Sequence, residues 1–453
     1  MSRSRLLLAA SVLAAGALAL TGCSGGSGGS GDAGSGSGGA TTVTFRTWDT
    51  NAAQAYRESF AEFHHRNPKI TVKVDVVPWN DYFTSLRTDI AGGNADDIFW
   101  INNSSYADYA TGGKLIDIDK ALGADAKKAW APAVVKQFTQ DGTLWGVPQT
   151  SDGGIAVYYN KKLVKAAGLT EKDISNLTWS PDESTGSDDT LLTVAEKLTE
   201  DASGKTAGQK GFDPNKVTQW GYSSAKDLQA IVLPFIGSNG GVYQKSDGTF
   251  DFTNPKTEQA YRYMVDLINK FHVSPSAADT NKDGSFTLKQ FQEGKLALFQ
   301  SGLYNLSNVA DNVKFDWGVV RQPAGPAGAI SVTNGIAAVG NAATPHKAAT
   351  EKVLKWIGST EGNQFIGATG ANLPAVTAAQ QTYHDFWKAK GVDVQPFFDV
   401  IKDKPTIPAP VGANYNAAAN AYGPILEEVF LGRTPVKTGL AKAQAAANKA
   451  FAG

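Results

Sequence analysis

Two short polar segments of the sequence carry side chains that suit the binding of a small molecule. Residues 48–51 (WDTN) combine an aromatic ring with a carboxylate and an amide, and residues 102–106 (NNSSY) add amides and hydroxyls. An amide donates and accepts hydrogen bonds as a hydroxyl group does, and an aromatic ring stacks on a flat apolar face. We therefore predict a site for a neutral, hydroxylated ligand, although Asn51 and Ser104 would also serve as simple helix N-caps. The site residues predicted from the two segments are Trp48, Asp49, Asn51, Asn102 and Asn103.

The elements around these segments are predicted to alternate between strand and helix. Strands are indicated where apolar residues alternate or form a short run, and helices where they recur every three or four positions. The order β-α-β-α-β favours a parallel sheet with right-handed crossovers, and ligands of such sheets bind beyond the carboxyl ends of the strands. Both polar segments follow a predicted strand. The predicted elements are, in order, 41–48, 52–66, 70–77, 80–92 and 97–101.

The only cysteine, Cys23, follows an apolar segment near the start of the chain. Two arginines within MSRSR precede the uncharged residues 6–20, which is typical of a secretory signal. The segment is shorter than the roughly 20 apolar residues that a membrane-spanning helix needs. Residues 20–23 (LTGC) match the bacterial lipoprotein signature, in which cleavage precedes a cysteine that is then lipidated. We predict a signal peptide at 1–22 and a lipid anchor on Cys23 at the outer face of the cell membrane. The alternative is a free cysteine near a cleavage site.

Residues 23–40 form a Gly/Ser-rich segment, which we predict to be a flexible linker between the anchor and the folded part. It contains matches to a nucleophile elbow at 25–29 (GGSGG) and to a dinucleotide-binding loop at 26–31 (GSGGSG). Neither match lies between a strand and a helix, so both are products of composition.

Composition narrows the possible classes of function. The net charge is −1 and no basic stripe is present, so nucleic acid is not expected as a partner. The part of the chain after the linker is long enough for two domains with their own cores. Only 19% of the residues are charged, while ten are Trp, a composition that suits recognition of neutral hydroxylated ligands.

Other motifs are incomplete. Residues 279–290 resemble a calcium loop, but Gln290 stands where a bidentate Glu belongs. Residues 203–206 (SGKT) resemble a phosphate loop, but Thr199 replaces its first glycine. The five histidines are scattered, with no H-E-x-x-H motif for zinc. We predict neither a metal nor a cofactor, whereas a carboxylate pair for glycoside hydrolysis stays an open alternative.

From residue 41 to its end the chain resembles extracellular solute-binding protein family 1, the sugar-binding lipoproteins of bacterial ABC importers, which include the maltose-binding protein. The resemblance rests on the order and spacing of several segments together with the lipoprotein signature. The sequence differs from common members of the family at two polar insertions, 182–189 and 203–211. The segments are DDIFW before Asn102, YADYATGGKLIDID, LWGVPQTSDGGIAVYYNKKLVKAAGL, FQEGKLALFQSGLYN, ATEKVLKWI, GANLPAV and AYGPILEEVFLGRTP.

This resemblance implies an α/β protein with a two-lobed, periplasmic-binding-protein-like fold and a ligand cleft between the lobes. The chain would cross between lobes near 153–160, 316–330 and 371–376, and hinge motion would close the lobes on the ligand. Lobe one would comprise 41–152 and 330–375, and lobe two 153–329 and 376–453. The cleft residues implied in addition to those above are Asp152 from lobe one, Gln229, Phe235 and Tyr304 from lobe two, and Asn334 and Gly335, which return from lobe one.

The implied function is that of a non-catalytic, monomeric, lipid-anchored receptor that hands a sugar or oligosaccharide to an ABC permease. One alternative is a secreted carbohydrate-active enzyme that uses two cleft carboxylates. Another is a binding protein for a non-sugar solute, such as a polyol or a glycerophosphodiester. A phosphate-bearing ligand would favour a basic cleft, and none is evident in the sequence.

Overall fold

The computed structural model describes residues 39–181, 188–402 and 405–453. Cys23, the signal peptide predicted at 1–22 and nearly all of the linker predicted at 23–40 lie outside the described residues, as does most of the insertion at 182–189. The described residues from Ala40 onward belong to one compact unit.

The strands of the described residues form two larger sheets and one hairpin. They are β1 (Thr41–Thr47), β2 (Ile70–Val76), β3 (Ile98–Asn102), β4 (Thr139–Gln140), β5 (Thr143–Leu144), β6 (Val147–Thr150), β7 (Ile155–Asn160), β8 (Glu200–Asp201), β9 (Val217–Tyr222), β10 (Leu296–Gly302), β11 (Trp317–Arg321) and β12 (Ile336–Gly340).

The helices lie between and around these strands. They are α1 (Thr50–Arg66), α2 (Trp79–Gly92), α3 (Tyr106–Thr111), α4 (Ile118–Leu122), α5 (Pro132–Gln137), α6 (Lys161–Ala166), α7 (Glu171–Ile174), α8 (Thr190–Leu198), α9 (Leu233–Ser238), α10 (Pro255–Asn269), α11 (Ala277–Lys282), α12 (Phe286–Gln292), α13 (Leu306–Asn312), α14 (Lys347–Ile357), α15 (Thr360–Ala368), α16 (Gln380–Ala389), α17 (Gln395–Lys402), α18 (Tyr415–Phe430) and α19 (Val436–Ala452).

The first sheet has the strand order β2-β1-β3-β12-β6. β1 pairs in parallel with both β2 and β3, which confirms the predicted β-α-β-α-β arrangement, whereas β12 is antiparallel to β3 and β6. α1 begins where Asp49 caps its first amides and ends at Arg66, with Asn67 as its C-cap before Pro68. Its apolar face buries Tyr56, Phe60 and Phe63 against the sheet.

The second sheet has the strand order β11-β7-β10-β9-β8. β7 is antiparallel to β10 and β11, while β10 and β9 are parallel. One face carries the core formed with α8, α10 and α18, and side chains of α16 and α17 pack with residues of β7 and β10 in a separate apolar cluster.

The chain passes from the first sheet to the second between β6 and β7, and returns between β11 and β12. Near the third predicted crossing, Ala371 and Val376 belong to the core of the first sheet, whereas Leu373 packs with residues of β7 and β10. The lobe boundaries given above stay predictions.

Candidate functional site

Trp48 lies at the carboxyl end of β1, where it packs among other aromatic side chains. Its ring centroid is 4.8 Å from that of Tyr82 and 5.2 Å from that of Trp100, with edge-to-face geometry in both cases. The side chain is half-buried. Much of this indole therefore stabilises the first lobe, and only its remaining surface is available to a ligand.

Asp49 and Asn102 satisfy backbone amides at the same edge. Asp49 accepts hydrogen bonds from the amides of Asn51 and Ala52, at 2.8 and 3.0 Å. Asn102 Oδ1 accepts one from the Ser105 amide at 3.0 Å. The capping role that the sequence suggested for Asn51 belongs to Asp49. Burial raises the pKa of Asp49, and these hydrogen bonds oppose that effect.

Asn51 reaches towards the second half of the molecule. Its Nδ2 lies 3.4 Å from Oδ1 of Asn308 in α13, and Asn308 in turn donates to Asn305 at 3.0 Å. A second contact joins the same two halves, because the Asp108 carboxylate accepts hydrogen bonds from the Asn414 amide and from Asn416 Nδ2, at 2.6 and 2.7 Å. Polar residues thus connect the two halves of the molecule at two places.

Three of the predicted residues meet between the two sheets, and we call Asp152, Gln229 and Asn334 the inter-sheet cluster. Gln229 Nε2 donates to Asp152 Oδ2 at 3.1 Å, and Asn334 Nδ2 lies 3.5 Å from Gln229 Oε1. The backbone of Asn334 also hydrogen-bonds Asp152. Burial raises the pKa of Asp152 well above its usual range, which these hydrogen bonds oppose. Side chains from three distant segments therefore converge on one point.

Several buried side-chain amide oxygens have no hydrogen-bond partner among the described residues, and two of them, Asn103 Oδ1 and Asn334 Oδ1, belong to predicted site residues. Asn103 follows β3 and is 4% exposed, and Asn334 precedes β12, the neighbour of β3. Buried polar atoms are nearly always hydrogen-bonded, so an exception calls for an explanation. A hydroxyl-bearing ligand would supply the missing donors.

Gly335 allows α5 to pack closely against the segment that precedes β12. A Cβ at this position would lie 2.5 Å from Val134 Cγ1, so only glycine permits the close approach of α5. Its amide donates to Gln137 Oε1 at 2.8 Å, and Gln137 Nε2 donates to the Thr333 carbonyl at 3.2 Å. Gln137 thus holds the segment that presents Asn334.

Tyr304 follows β10 and is partly buried against the core of the second sheet. Its ring lies so close to Gly302 that a Cβ there would be 2.1 Å from Tyr304 Cε1. Burial raises the pKa of Tyr304 well above its usual range, and the carboxylates of Asp227 and Asp152 add to the effect. The phenol therefore stays protonated and can donate a hydrogen bond.

The predicted site residue Phe235 lies in the core of the second lobe and is not part of the inter-sheet cluster. It is 2% exposed in the core of the second lobe, and its ring centroid lies 5.0 Å from Trp179 and 5.8 Å from Tyr263. We do not include it in the site proposed below.

Sequence reasoning missed Gln137, Asp227 and Asn308. Asp227 caps a short π-helix at Leu228–Val232 by accepting hydrogen bonds from the amides of Gln229 and Ala230, at 3.0 and 2.8 Å. An Asp two residues before Gln229 is a recognisable capping signal. The roles of Gln137 and Asn308 depend on contacts with distant segments, which no local pattern reveals.

The loop that resembles a phosphate site is filled by a carboxylate of the chain itself. Asp201 accepts hydrogen bonds from the amides of Ser203, Lys205 and Asp213, at 2.8, 3.1 and 2.8 Å. These bonds, led by that of Asp213, lower the pKa of Asp201. Amides that a phosphate would need are therefore already used.

The segment that resembles a calcium loop folds as α11 and α12, with Asp279 and Asn281 inside α11. Asp283 accepts hydrogen bonds from the Ser285 amide and from Lys289 Nζ, at 2.9 and 2.6 Å. Within the described ranges no group of three or more His, Cys, Asp or Glu residues is placed to hold a metal ion. In the same ranges no helix is both long and apolar enough to span a membrane.

Comparison with known families and structures shows which proteins this chain resembles. The sequence model of the family described as bacterial extracellular solute-binding protein matches residues 47–364. The chain belongs to this family. Its members are extracytoplasmic proteins that bind substrates and are not enzymes.

Several known proteins resemble this chain over most of its length. UspC of M. tuberculosis is 52% identical and its crystal structure gives a TM-score of 0.69, covering 90% of this chain and 100% of UspC. The Listeria monocytogenes substrate-binding protein Lmo0181, solved with cycloalternan, is 22% identical with a TM-score of 0.77, over 91% of this chain and 99% of that one. The maltodextrin-binding protein MdxE of Bacillus subtilis is 25% identical over 72% of each chain. The two-lobed fold implied by the sequence is thereby confirmed.

Proposed function

We propose that this protein is a receptor that binds a sugar or oligosaccharide between its lobes and delivers it to an ABC import permease. The observation that carries the proposal is the inter-sheet cluster, in which Asp152, Gln229 and Asn334 converge from distant segments while Asn334 Oδ1 has no partner among the described residues. Such a set of donors and acceptors matches a ligand with several hydroxyl groups.

Relatives support a carbohydrate as the ligand class. MdxE is named for maltodextrin, the Listeria protein was solved with cycloalternan, and a maltose/maltodextrin-binding domain from Bdellovibrio bacteriovorus was solved with maltotriose. The aromatic side chains at the carboxyl edge of the first sheet, with Trp48 among them, suit the flat apolar faces of sugar rings.

Charge argues for a neutral ligand rather than a phosphate ester. Asp152 and Asp227 both raise the pKa of Tyr304, so they lie near its hydroxyl group. Asp49 lies at the carboxyl edge of the first sheet. Lys226, next to Asp227 in the chain, pairs with Glu427 at 2.6 Å. An anion placed here would lie among acidic side chains, and the neighbouring Lys226 is already paired, so these residues favour a neutral ligand over a glycerophosphodiester.

We propose that the receptor has no catalytic activity of its own. Asp49 caps α1 and accepts from Asn372 Nδ2 at 3.1 Å, and Asp152 accepts from Gln229 and the Asn334 backbone. Both carboxylates are thus engaged in positioning neighbouring groups. If product appears from a bound oligosaccharide, the enzyme alternative is correct.

We further propose a lipid anchor on Cys23 and a monomeric state, with the protein held at the outer face of the cell membrane. Cys23→Ser should remove fatty-acid labelling and move the protein to the soluble fraction. Labelling that persists in the variant would contradict the anchor assignment.

A thermal-shift screen of the mature protein against a panel of mono- and oligosaccharides tests the central part of the proposal. A ligand at 100 times its dissociation constant should stabilise the folded state by about 2.7 kcal/mol. Polyols and glycerophosphodiesters belong in the same panel. Stabilisation by one of these compounds and by no sugar would overturn the carbohydrate assignment.

A further inference from the structure

Trp79 is an exposed aromatic side chain at the carboxyl edge of the first sheet. It begins α2 directly after β2 and Pro78, so it lies beyond the carboxyl end of a parallel strand, as Trp48 does after β1. Half of its surface is exposed, at 50%, whereas Trp100 of the same aromatic group is 1% exposed. An exposed indole is uncommon in a folded protein and often marks a binding surface.

The orientation of this indole is fixed by its neighbours. Its centroid lies 5.3 Å from that of Trp48 and 5.1 Å from that of Phe83, with interplanar angles of 72° and 88°. Edge-to-face contacts of this kind hold the ring in place while half of its surface stays open to water. A ring held in this way loses little conformational entropy when a ligand stacks on it.

Asn80, the residue after Trp79, contacts the second lobe and so shows where the indole lies relative to that lobe. The side chain of Asn80 hydrogen-bonds Asp283, and its Oδ1 would lie 3.5 Å from a Cβ on Gly284. Asp283 belongs to the segment between α11 and α12, whose Ala277 and Phe291 are buried in cores of the second sheet. Trp79 thus lies beside a contact between the two lobes, at the rim of the space between them.

We infer that Trp79 is a stacking platform for an outer sugar unit of the ligand, at the rim of the cleft, and that it favours longer oligosaccharides over short ones. The inference rests on the proposed sugar-binding function. The Asp152, Gln229 and Asn334 side chains would hold the inner unit, and Trp79, through its contact with Trp48, extends the aromatic surface outwards.

The experiment compares wild-type protein with Trp79→Ala and Trp79→Phe, titrated with malto- and cello-oligosaccharides of two to five units. For the longer members of the series that binds, Trp79→Ala should raise Kd about tenfold, the loss expected when one stacked ring is removed, and Trp79→Phe should raise it less. The Kd of the disaccharide should stay unchanged. Iodide quenching of tryptophan fluorescence should fall when the longer sugars bind wild-type protein, and should change little in Trp79→Phe.

Trp356→Phe is the matched control, because Trp356 is a partly exposed indole on α14 that donates to Ser59 Oγ at 2.9 Å. It should not alter Kd for any chain length. Equal affinities in wild type and the Trp79 variants would overturn this inference alone, and so would a loss that is the same for all chain lengths. Unchanged affinity with impaired uptake in cells would overturn it in favour of a permease contact. If no carbohydrate of the thermal-shift panel binds wild-type protein, the proposed function falls and this inference falls with it.

Discussion

Two groups of amide side chains in this molecule use the same chemistry in opposite ways. The core cluster, which we define as Tyr56, Gln149 and Asn363, lies beneath the first sheet. The Tyr56 hydroxyl donates to Gln149 Oε1 at 2.7 Å, and Gln149 Nε2 lies within 3.2 Å of three backbone carbonyls. Asn363 bonds the Gln149 carbonyl at 3.1 Å and the Val376 amide at 3.0 Å. The polar side-chain atoms of both amides therefore have partners.

The inter-sheet cluster has the same kinds of groups and weaker internal bonds. The contact between Asn334 and Gln229 is 3.5 Å long, and Asn334 Oδ1 has no partner among the described residues. A buried polar atom without a hydrogen-bond partner lowers the stability of the folded state. Between two lobes, such an atom can instead form a hydrogen bond with a ligand. Between these two clusters, the state of hydrogen bonding, rather than residue type, distinguishes the structural amides from the amides that we propose bind a ligand.

The largest expected effect is on the core cluster. Gln149→Leu should lower the free energy of unfolding by about 2–4 kcal/mol, because the variant leaves several buried groups unsatisfied. The sugar affinity of the protein that remains folded should stay near the wild-type value. Urea denaturation and titration calorimetry measure the two quantities, and a large loss of affinity at unchanged stability would reverse the distinction.

The inter-sheet cluster should respond in the opposite way. Asn334→Ala should weaken sugar binding by about 1–3 kcal/mol, the range of one buried hydrogen-bonding group, and should hardly change the melting temperature. Asn215→Ala, an exposed asparagine in the loop before β9, is the matched control and should alter neither quantity. A collapse of the melting temperature in Asn334→Ala would mean that this amide is structural.

The smallest effect concerns pH. Burial raises the pKa of Asp152, so the folded state favours the protonated carboxyl, and stability falls as the pH rises from about 4 through the raised pKa. The asparagine side chain of the Asp152→Asn variant cannot ionise. The ligand-free variant should therefore be more stable than wild type at neutral pH, and the difference should shrink as the pH falls towards 4.

Asp201→Asn gives a control of opposite sign. Hydrogen bonds, led by that of the Asp213 amide, lower the pKa of Asp201, so its contribution to stability is present above pH 4 and is lost as the pH falls. This variant should be less stable than wild type at neutral pH. Melting curves between pH 3 and 8 test both, and equal curves for Asp152→Asn and wild type would contradict the buried carboxylate.

Sequence patterns predicted the first sheet well because its signals are local. The helices expected at 52–66 and 80–92 are Thr50–Arg66 and Trp79–Gly92, and the strand expected at 97–101 is Ile98–Asn102. The inter-sheet cluster is different. Asp152 and Asn334 came from the family resemblance, since no spacing rule joins residues that far apart in the chain. Burial of Phe235 beside Trp179 depends on the packing of the second lobe, which periodicity does not describe.

Calorimetric titration measures directly whether the inter-sheet cluster binds a sugar. Wild type, Asn334→Ala and Gln149→Leu would be titrated, each below its melting temperature, with the carbohydrate that gives the largest thermal shift. We expect tight binding by wild type, at least tenfold weaker binding by Asn334→Ala, and near wild-type affinity for the folded fraction of Gln149→Leu. Wild-type affinity in Asn334→Ala, or no carbohydrate binding by wild type, would show that the inter-sheet cluster is not a sugar site.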